Sequence, residues 1–195
     1  MNQSPFFAHL SRLRWIKRWG LMRNAYEENV MEHGWEVAVI AHALAVIRGE
    51  IFHQAIDADR VAAAALYHDI SEAITGDLPT PIKYHSPAIR DAYKDLERKA
   101  SLELLALLPE ALKPAFTRLL LPEEIPEDVR AIIKAADRIA AYLKCCAERR
   151  AGNTEFVNAE EDVREKIRQL ALPEADYFME VFVPGYELTL DRLLL

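Results

Sequence analysis

The stretch ALYHDISEAITGDLPTP, residues 65–81, constrains this chain more than any other. It places His68, Asp69 and Glu72 within about one helical turn, with Asp77 just after a glycine break. Residues three or four apart on an α-helix are neighbours, so Glu72 is expected beside both His68 and Asp69. Val61, Ala64, Ala65 and His68 share a stripe with Glu72, so the ionisable cluster continues an apolar face that points at a core. An uncompensated buried carboxylate is very costly, and the remedies are a paired cation, hydrogen bonds or a metal. The adjacent His and Asp offer one nitrogen and one oxygen ligand. The rest of any metal site must come from elsewhere in the chain.

The flanking sequence is helical throughout. Only 6 glycines occur in 195 residues, and the length suits one domain with a substantial core, residues 1–195. Residues 1–19 form an amphipathic pattern, with Phe6, Phe7, Leu10, Leu13, Trp15, Ile16 and Trp19 interleaved with Arg12, Arg14, Lys17 and Arg18. Such a helix either docks on the core with a solvated basic face or turns Arg18 and Trp19 toward a ligand. Gly20 is expected to break it, and residues 21–29 to connect onward. Val37, Ile40, Ala41, Leu44 and Ile47 define a helix from Glu32 to Arg48, stopped at Gly49, that aims His33 at the core from its first turn. Asp57 is the expected N-cap of one continuous helix running to Gly76. DLPTPIKY then reads as an ordered loop, because two prolines forbid a continuous helix.

Ser86 and Pro87 open another long helix whose many charges form a solvated face. Prolines 109, 114, 122 and 126 mark turns. From Glu127 a helix carries Val129, Ile132, Ile133, Ala136, Ala140 and Leu143 to a stop at Gly152, with Asp137 on its apolar stripe. A lone carboxylate there is the second anomaly, explained by a salt bridge, an interhelical hydrogen bond or a ligand role. A further helix and an aromatic, leucine-rich tail complete the chain; the tail caps the core or meets a second subunit. His9, His42, His53 and His85 read as ordinary packing or surface histidines.

Charge and cysteines narrow the function classes. A net charge of −7 argues against a general nucleic-acid surface, since phosphate backbones are held mainly by Lys and Arg. Cys145 and Cys146 are adjacent within a helical pattern, where ordinary disulfide geometry is not available, so free thiols are expected. The stretch MNQSPFFAHLSRLRW lacks a basic region followed by a long apolar one, so no secretory signal is expected, and the run AVIAHALAVI, interrupted by His42, reads as too short to cross a bilayer. The expected location is the cytoplasm, without a membrane partner.

Together His33, His68, Asp69 and Asp137 supply two nitrogens and two carboxylates from three helices, each on a core-facing stripe. That set suits one divalent cation such as Mn²⁺, Co²⁺, Fe²⁺, Zn²⁺ or Ni²⁺. No other histidine completes a second ligand pattern beside the pair His68–Asp69, so one metal is expected rather than two.

His33, then a contiguous His68–Asp69, then a distant Asp137 resembles the order that defines the HD-superfamily phosphohydrolases. The likeness extends to the bacterial HD-domain 5′-deoxynucleotidases through QSxFFAHLSRL, the pair Arg18–Trp19, LMRN at 21–24, ENVxEH ending at His33, YHDxSExxTGDLPTP from Tyr67, AYLKC at 141–145 and DYFMExFVP at 176–184. Nearly the whole chain is covered. The resemblance implies an all-α helical bundle, a homodimer, and hydrolysis of deoxyribonucleoside 5′-monophosphates, selective against ribonucleotides and 3′-monophosphates. It implies one divalent metal on His33, His68, Asp69 and Asp137, with Co²⁺ or Mn²⁺ foremost and Zn²⁺, Fe²⁺, Ni²⁺ or Cu²⁺ as alternatives.

In this resemblance Glu72 positions the attacking water or moves its proton, and Arg18 holds the phosphate. Trp19 lies against the sugar; Asp77, Leu78, Pro79 and Thr80 meet the sugar from a loop; His33 and Asp69 also touch substrate. Gly20 stands where relatives often carry proline, which loosens the corner after Trp19. The alternatives are another HD phosphohydrolase, acting on a nucleoside triphosphate, cyclic nucleotide or guanosine polyphosphate, and a non-catalytic helical module with a structural metal.

Overall fold

A computed structural model describes residues 3–194 as helices joined by turns, with no strand among them. Met1, Asn2 and Leu195, which the expected N-terminal helix and C-terminal tail included, lie outside the described residues. The chain forms two compact units. The first takes the described residues up to Trp35 together with Ala63–Glu127; the second takes Glu36–Ala62 and the described residues from Asp128 onward.

In the first unit, α1 (Phe6–Leu10) is short and passes into a 3₁₀ turn at Ser11–Trp15, so the helix expected through residue 19 ends early. Phe6 is the reason α1 docks: it is fully buried with Ile70, Leu104, Leu105, Leu108, Leu120 and Leu121. The ring of Phe116 packs edge-on against Phe6 at 5.3 Å and Tyr67 at 5.8 Å. Ile70 immediately follows His68–Asp69, so this apolar cluster anchors the ionisable stretch directly. The long helix α6 (Pro87–Ala106) supplies Leu104 and Leu105 of the cluster. It starts where expected, with the Ser86 hydroxyl accepting from Ile89 N and Pro87 at the first position. Helix α7 (Lys113–Leu120) closes the unit.

Helix α2 (Val30–Glu50) spans the boundary between the units. It runs past Gly49 to Glu50, because a glycine in a helix costs only about 1 kcal/mol and needs no break. Val37, Ile40, Ala41 and Leu44 are buried as predicted, while Trp35, Val39 and Val46 are exposed. By length and composition α2 could cross a membrane, being longer than its apolar run suggested, yet half of its most apolar window is buried within the protein. Helix α3 (Ala58–Leu66) begins with Asp57 Oδ1 accepting from Arg60 N at 3.0 Å, the predicted cap.

The second unit is built on α8 (Glu127–Arg150), which ends at Gly152 with φ of +82°, as read from sequence. Asn153 N donates to Glu148 O at 3.0 Å, and its side chain donates to Glu148 Oε2 at 2.8 Å. Glu148, fully buried, also accepts from Lys144. Helices α9 (Val157–Arg168) and α10 (Pro173–Val181) follow. Arg48 Nε donates to the buried Glu174 at 2.9 Å, tying α2 to α10 within this unit. Cys145 and Cys146 are buried and unbridged.

Candidate metal and substrate site

The expected single helix from Asp57 to Gly76 is broken. After α3 the chain makes tight turns through Tyr67–Ser71, with His68 N on Ala65 O and Ile70 N on Tyr67 O, before the one-turn helix α4 (Glu72–Thr75). These i to i−3 bonds wind the chain more tightly than an α-helix. A competing donor contributes: His68 Nδ1 donates to the Ala65 carbonyl at 2.8 Å, using an acceptor the helix ladder would otherwise claim. In the tight turns beyond α3, Asp69 Oδ2 lies 3.9 Å from His33 Nε2.

His33, His68 and Asp69 then converge. One ligand atom from each lies within 4.8 Å of the others, and the two imidazole rings are 5.5 Å apart. Asp69 Oδ2 is 3.0 Å from His68 Nε2, 3.9 Å from His33 Nε2 and 3.6 Å from Arg18 Nη1. Burial pushes the Asp69 carboxyl up, but the charge and hydrogen bond of His68, with His33 and Arg18, outweigh it and hold the group well below the usual range.

The donor set fits a divalent cation on its own chemistry. A carbonyl can only accept, so the Ala65 contact fixes the His68 proton on Nδ1. In the neutral ring Nε2 then presents a lone pair to a carboxylate oxygen 3.0 Å away, an arrangement that a proton or a cation between them resolves. Two imidazoles and a carboxylate are ligands that divalent transition metals accept. Asp137 belongs to the second unit, part-buried on α8 between Ala136 and Arg138.

Glu72 is buried at the start of α4, and its Oε2 has no hydrogen-bond partner among the described residues. Burial first, then the neighbouring carboxylates Asp69 and Asp77, push its pKa up to about 9, against the pull of Arg18 and Lys83. Without a metal, that favours the protonated carboxyl at neutral pH. Asp77 follows Gly76, whose φ of +71° turns the chain out of α4. Burial raises the Asp77 carboxyl, and Arg18, Asp69, Lys83 and His33 share its field.

Leu78 and Pro79 are half-buried in the loop that follows, and Thr80 opens α5 (Thr80–Lys83), a single turn within the segment read as loop. Tyr93 pins this loop by donating to Gly76 O at 3.2 Å. Lys83, paired with Glu97 at 2.7 Å, sits over the Tyr93 ring.

Arg18 and Trp19 reach the same site. Trp19, not Gly20, takes the left-handed turn, with φ of +59°. Sequence reading missed Glu28, whose carboxylate accepts from Arg18 Nε at 3.1 Å and Trp19 Nε1 at 2.9 Å. The only signal for it was its place in ENVxEH, in a segment without periodicity. A cavity of about 510 Å³ also opens in the second unit among Tyr142, Cys146, Arg150 and Arg164, and none of the site residues predicted from sequence lines it.

An all-helical fold carrying His33 and the pair His68–Asp69 on converging elements is that of the HD phosphohydrolases. A family profile described as 5′-deoxynucleotidase YfbR-like matches residues 5–186. The chain is 50% identical over 192 residues to a 5′-deoxynucleotidase of Yersinia pestis, covering 98% of each. Its fold is similar to that of an HD-domain phosphohydrolase from Listeria innocua, with a TM-score of 0.81 and 23% identity over 93% of this chain and 87% of that one. A cyanophage S-2L HD phosphohydrolase, bound to dA and one catalytic zinc ion, gives 0.66 and 20% over 97% of this chain and all of the other. The chain belongs to the 5′-deoxynucleotidase YfbR-like family.

Proposed function

We propose that this protein hydrolyses deoxyribonucleoside 5′-monophosphates to deoxynucleoside and phosphate, with selectivity against ribonucleotides and 3′-monophosphates. The observation that carries the reading is the meeting of the His33, His68 and Asp69 ligand atoms with the Arg18 guanidinium, 3.6 Å from Asp69. A metal-ligand cluster and a phosphate-binding cation thus share one site in a chain of deoxynucleotidase ancestry. His33, His68 and Asp69 would hold one divalent ion, Co²⁺ or Mn²⁺ foremost, and Asp137 enters as fourth ligand on the sequence motif alone. Bound there, the ion supplies an activated water and polarises a phosphate oxygen.

The protein's own groups do the rest. Arg18, largely buried and held by Glu28, orients the phosphate through charged hydrogen bonds. Glu72 positions the attacking water or moves its proton. Asp77, with Leu78, Pro79 and Thr80, receives the sugar from the loop that Tyr93 pins. Trp19 forms the sugar wall, where an added 2′-hydroxyl would be crowded or left without a partner. Cytoplasmic residence is part of the proposal.

The test is phosphate release from dAMP, AMP, dATP and 3′-dAMP by metal-stripped protein with and without Mn²⁺ or Co²⁺. Metal-dependent release from dAMP alone is expected. Release of pyrophosphate or triphosphate from dATP instead would transfer the protein to another HD activity. Trp19→Ala should reduce the preference for dAMP over AMP by about tenfold or more; an unchanged preference would sink the sugar wall.

A homodimer is the expected assembly. Phe182, Leu188, Leu190, Leu193 and Leu194 are all exposed near the C-terminus, a concentration of apolar surface suited to a second copy. Light scattering at working concentration should give twice the 22.2 kDa chain mass, and a clean monomer would reject it.

A further inference from the structure

We propose that Glu28 is a positioning residue that sets deoxyribose selectivity and steadies the metal-ligand imidazole, one carboxylate holding Arg18, Trp19 and His33 in register. The inference rests on the deoxynucleotidase reading above and adds a residue to which no role in that reaction has been given.

Its backbone place is set by a short antiparallel pairing. Arg18 N donates to Glu28 O and Val30 N to Ile16 O, each at 3.0 Å, around the Lys17–Asn29 bridge. Glu28 is thereby held opposite Arg18, and Asn29 Oδ1 caps α2 by accepting from Glu32 N at 3.0 Å. His33 follows in the first turns of that helix, so one segment fixes the distance from Glu28 to both Arg18 and His33.

The side chain divides its two oxygens. Oε2 accepts from Arg18 Nε and Trp19 Nε1, and Oε1 lies 4.0 Å from His33 Nδ1. Carboxylate oxygens accept, which suits the two N–H donors of Arg18 and Trp19 on one oxygen and leaves the other facing the imidazole. Toward His33 the carboxylate stands on the Nδ1 side of the ring, at 4.0 Å beyond direct hydrogen-bond length, where its field favours a ring turned with Nε2 toward the metal. That Nε2 is the nitrogen 3.9 Å from Asp69.

Trp19 makes the dependence sharper. A bulky residue with φ of +59° is strained and persists only where its surroundings over-determine it. Met22 N and the Asn24 side-chain amide hold its carbonyl, at 2.9 and 3.4 Å, but these bonds grip the backbone alone. The Glu28 bond grips the indole itself and so sets the ring that faces the sugar. Losing that acceptor leaves a part-buried indole N–H to find another, and the ring turns to do so.

A simple ion pair with Arg18 would account for one of these contacts and would leave sugar selectivity and metal affinity unmoved. The experiment compares wild type, Glu28→Gln and Glu28→Ala in kcat and KM for dAMP and AMP, and in Mn²⁺ affinity of substrate-free protein by chelator competition. Glu28→Ala is expected to lower the dAMP-to-AMP ratio of kcat/KM about tenfold, mainly through KM for dAMP. It should also weaken Mn²⁺ binding about 10- to 100-fold. Glu28→Gln keeps an oxygen for the indole and so retains most of the ratio, yet it too weakens Mn²⁺.

Folded Glu28→Ala with wild-type ratio and wild-type Mn²⁺ affinity overturns the proposal. Should Glu28→Ala fail to fold, the near-isosteric Glu28→Gln decides, and unchanged Mn²⁺ affinity there overturns it. A wild-type protein that leaves dAMP intact would reject the substrate reading instead, while the Mn²⁺ comparison would still decide whether Glu28 supports His33.

Discussion

Asp69→Asn is expected to lose metal-dependent phosphate release from dAMP by about 10³-fold. The figure follows from roughly 4 kcal/mol for removing one partner of a buried, hydrogen-bonded charge set, at about 1.4 kcal/mol per factor of ten. The loss has three parts, because Oδ2 faces His68, His33 and Arg18 at 3.0, 3.9 and 3.6 Å. Asparagine keeps the shape and an oxygen ligand but not the charge. Mn²⁺ affinity by chelator competition should therefore fall with activity. The Arg18 guanidinium, which is proposed to hold the phosphate, should also drift, which raises KM for dAMP in whatever activity remains. Near-wild-type Mn²⁺ affinity in the folded variant would remove Asp69 from the ligand set.

Much of this site is legible in the sequence, because the signals there are of residue type and period. His33, His68 and Asp69 declare themselves as polar groups on apolar stripes, and the stripes are buried as the 3.6-residue period requires. The caps at Asp57 and Ser86 and the stop at Gly152 are equally local, and each lies where it was expected. What the sequence conceals is decided by tertiary competition. The break after Leu66 depends on the His68 imidazole winning the Ala65 carbonyl, and Ile70 being drawn into the cluster around Phe6. Neither contact leaves a proline or a glycine to mark it.

The segment around Trp19 hides its geometry for a related reason. Gly20 is the residue whose freedom predicts a turn, yet the left-handed conformation falls on Trp19, where the surrounding bonds enforce it. Glu28 is hidden because long-range pairing, not periodicity, brings residues 28–30 beside 16–18. These failures cluster at the site, as expected where function rather than folding preference selects the conformation.

Glu72→Gln is expected to shift activity and stability in opposite directions. Its carboxyl is pushed up to about 9 by burial and by Asp69 and Asp77, from an ordinary value of 4.5. The unfolded chain releases this proton near pH 4.5, whereas the folded protein keeps it until near pH 9. Between those limits the unfolded state binds fewer protons, so stability falls as pH rises through the window. Glutamine cannot ionise and removes that loss. In chelator-treated protein the variant should match wild type near pH 4.5 and exceed it by about 1–3 kcal/mol at pH 8, below the ceiling of about 1.4 kcal/mol per pH unit. At this chain length that is a Tm gain of about 2–12 °C. Turnover of dAMP should meanwhile drop about 10²- to 10⁴-fold, the usual contribution of a positioned proton carrier. A gain equal at both pH values would mean that glutamine packs better and titration is irrelevant. Retained turnover would remove Glu72 from the reaction. A gain confined to high pH, with turnover lost, identifies a carboxyl whose retention costs the fold stability and serves the reaction.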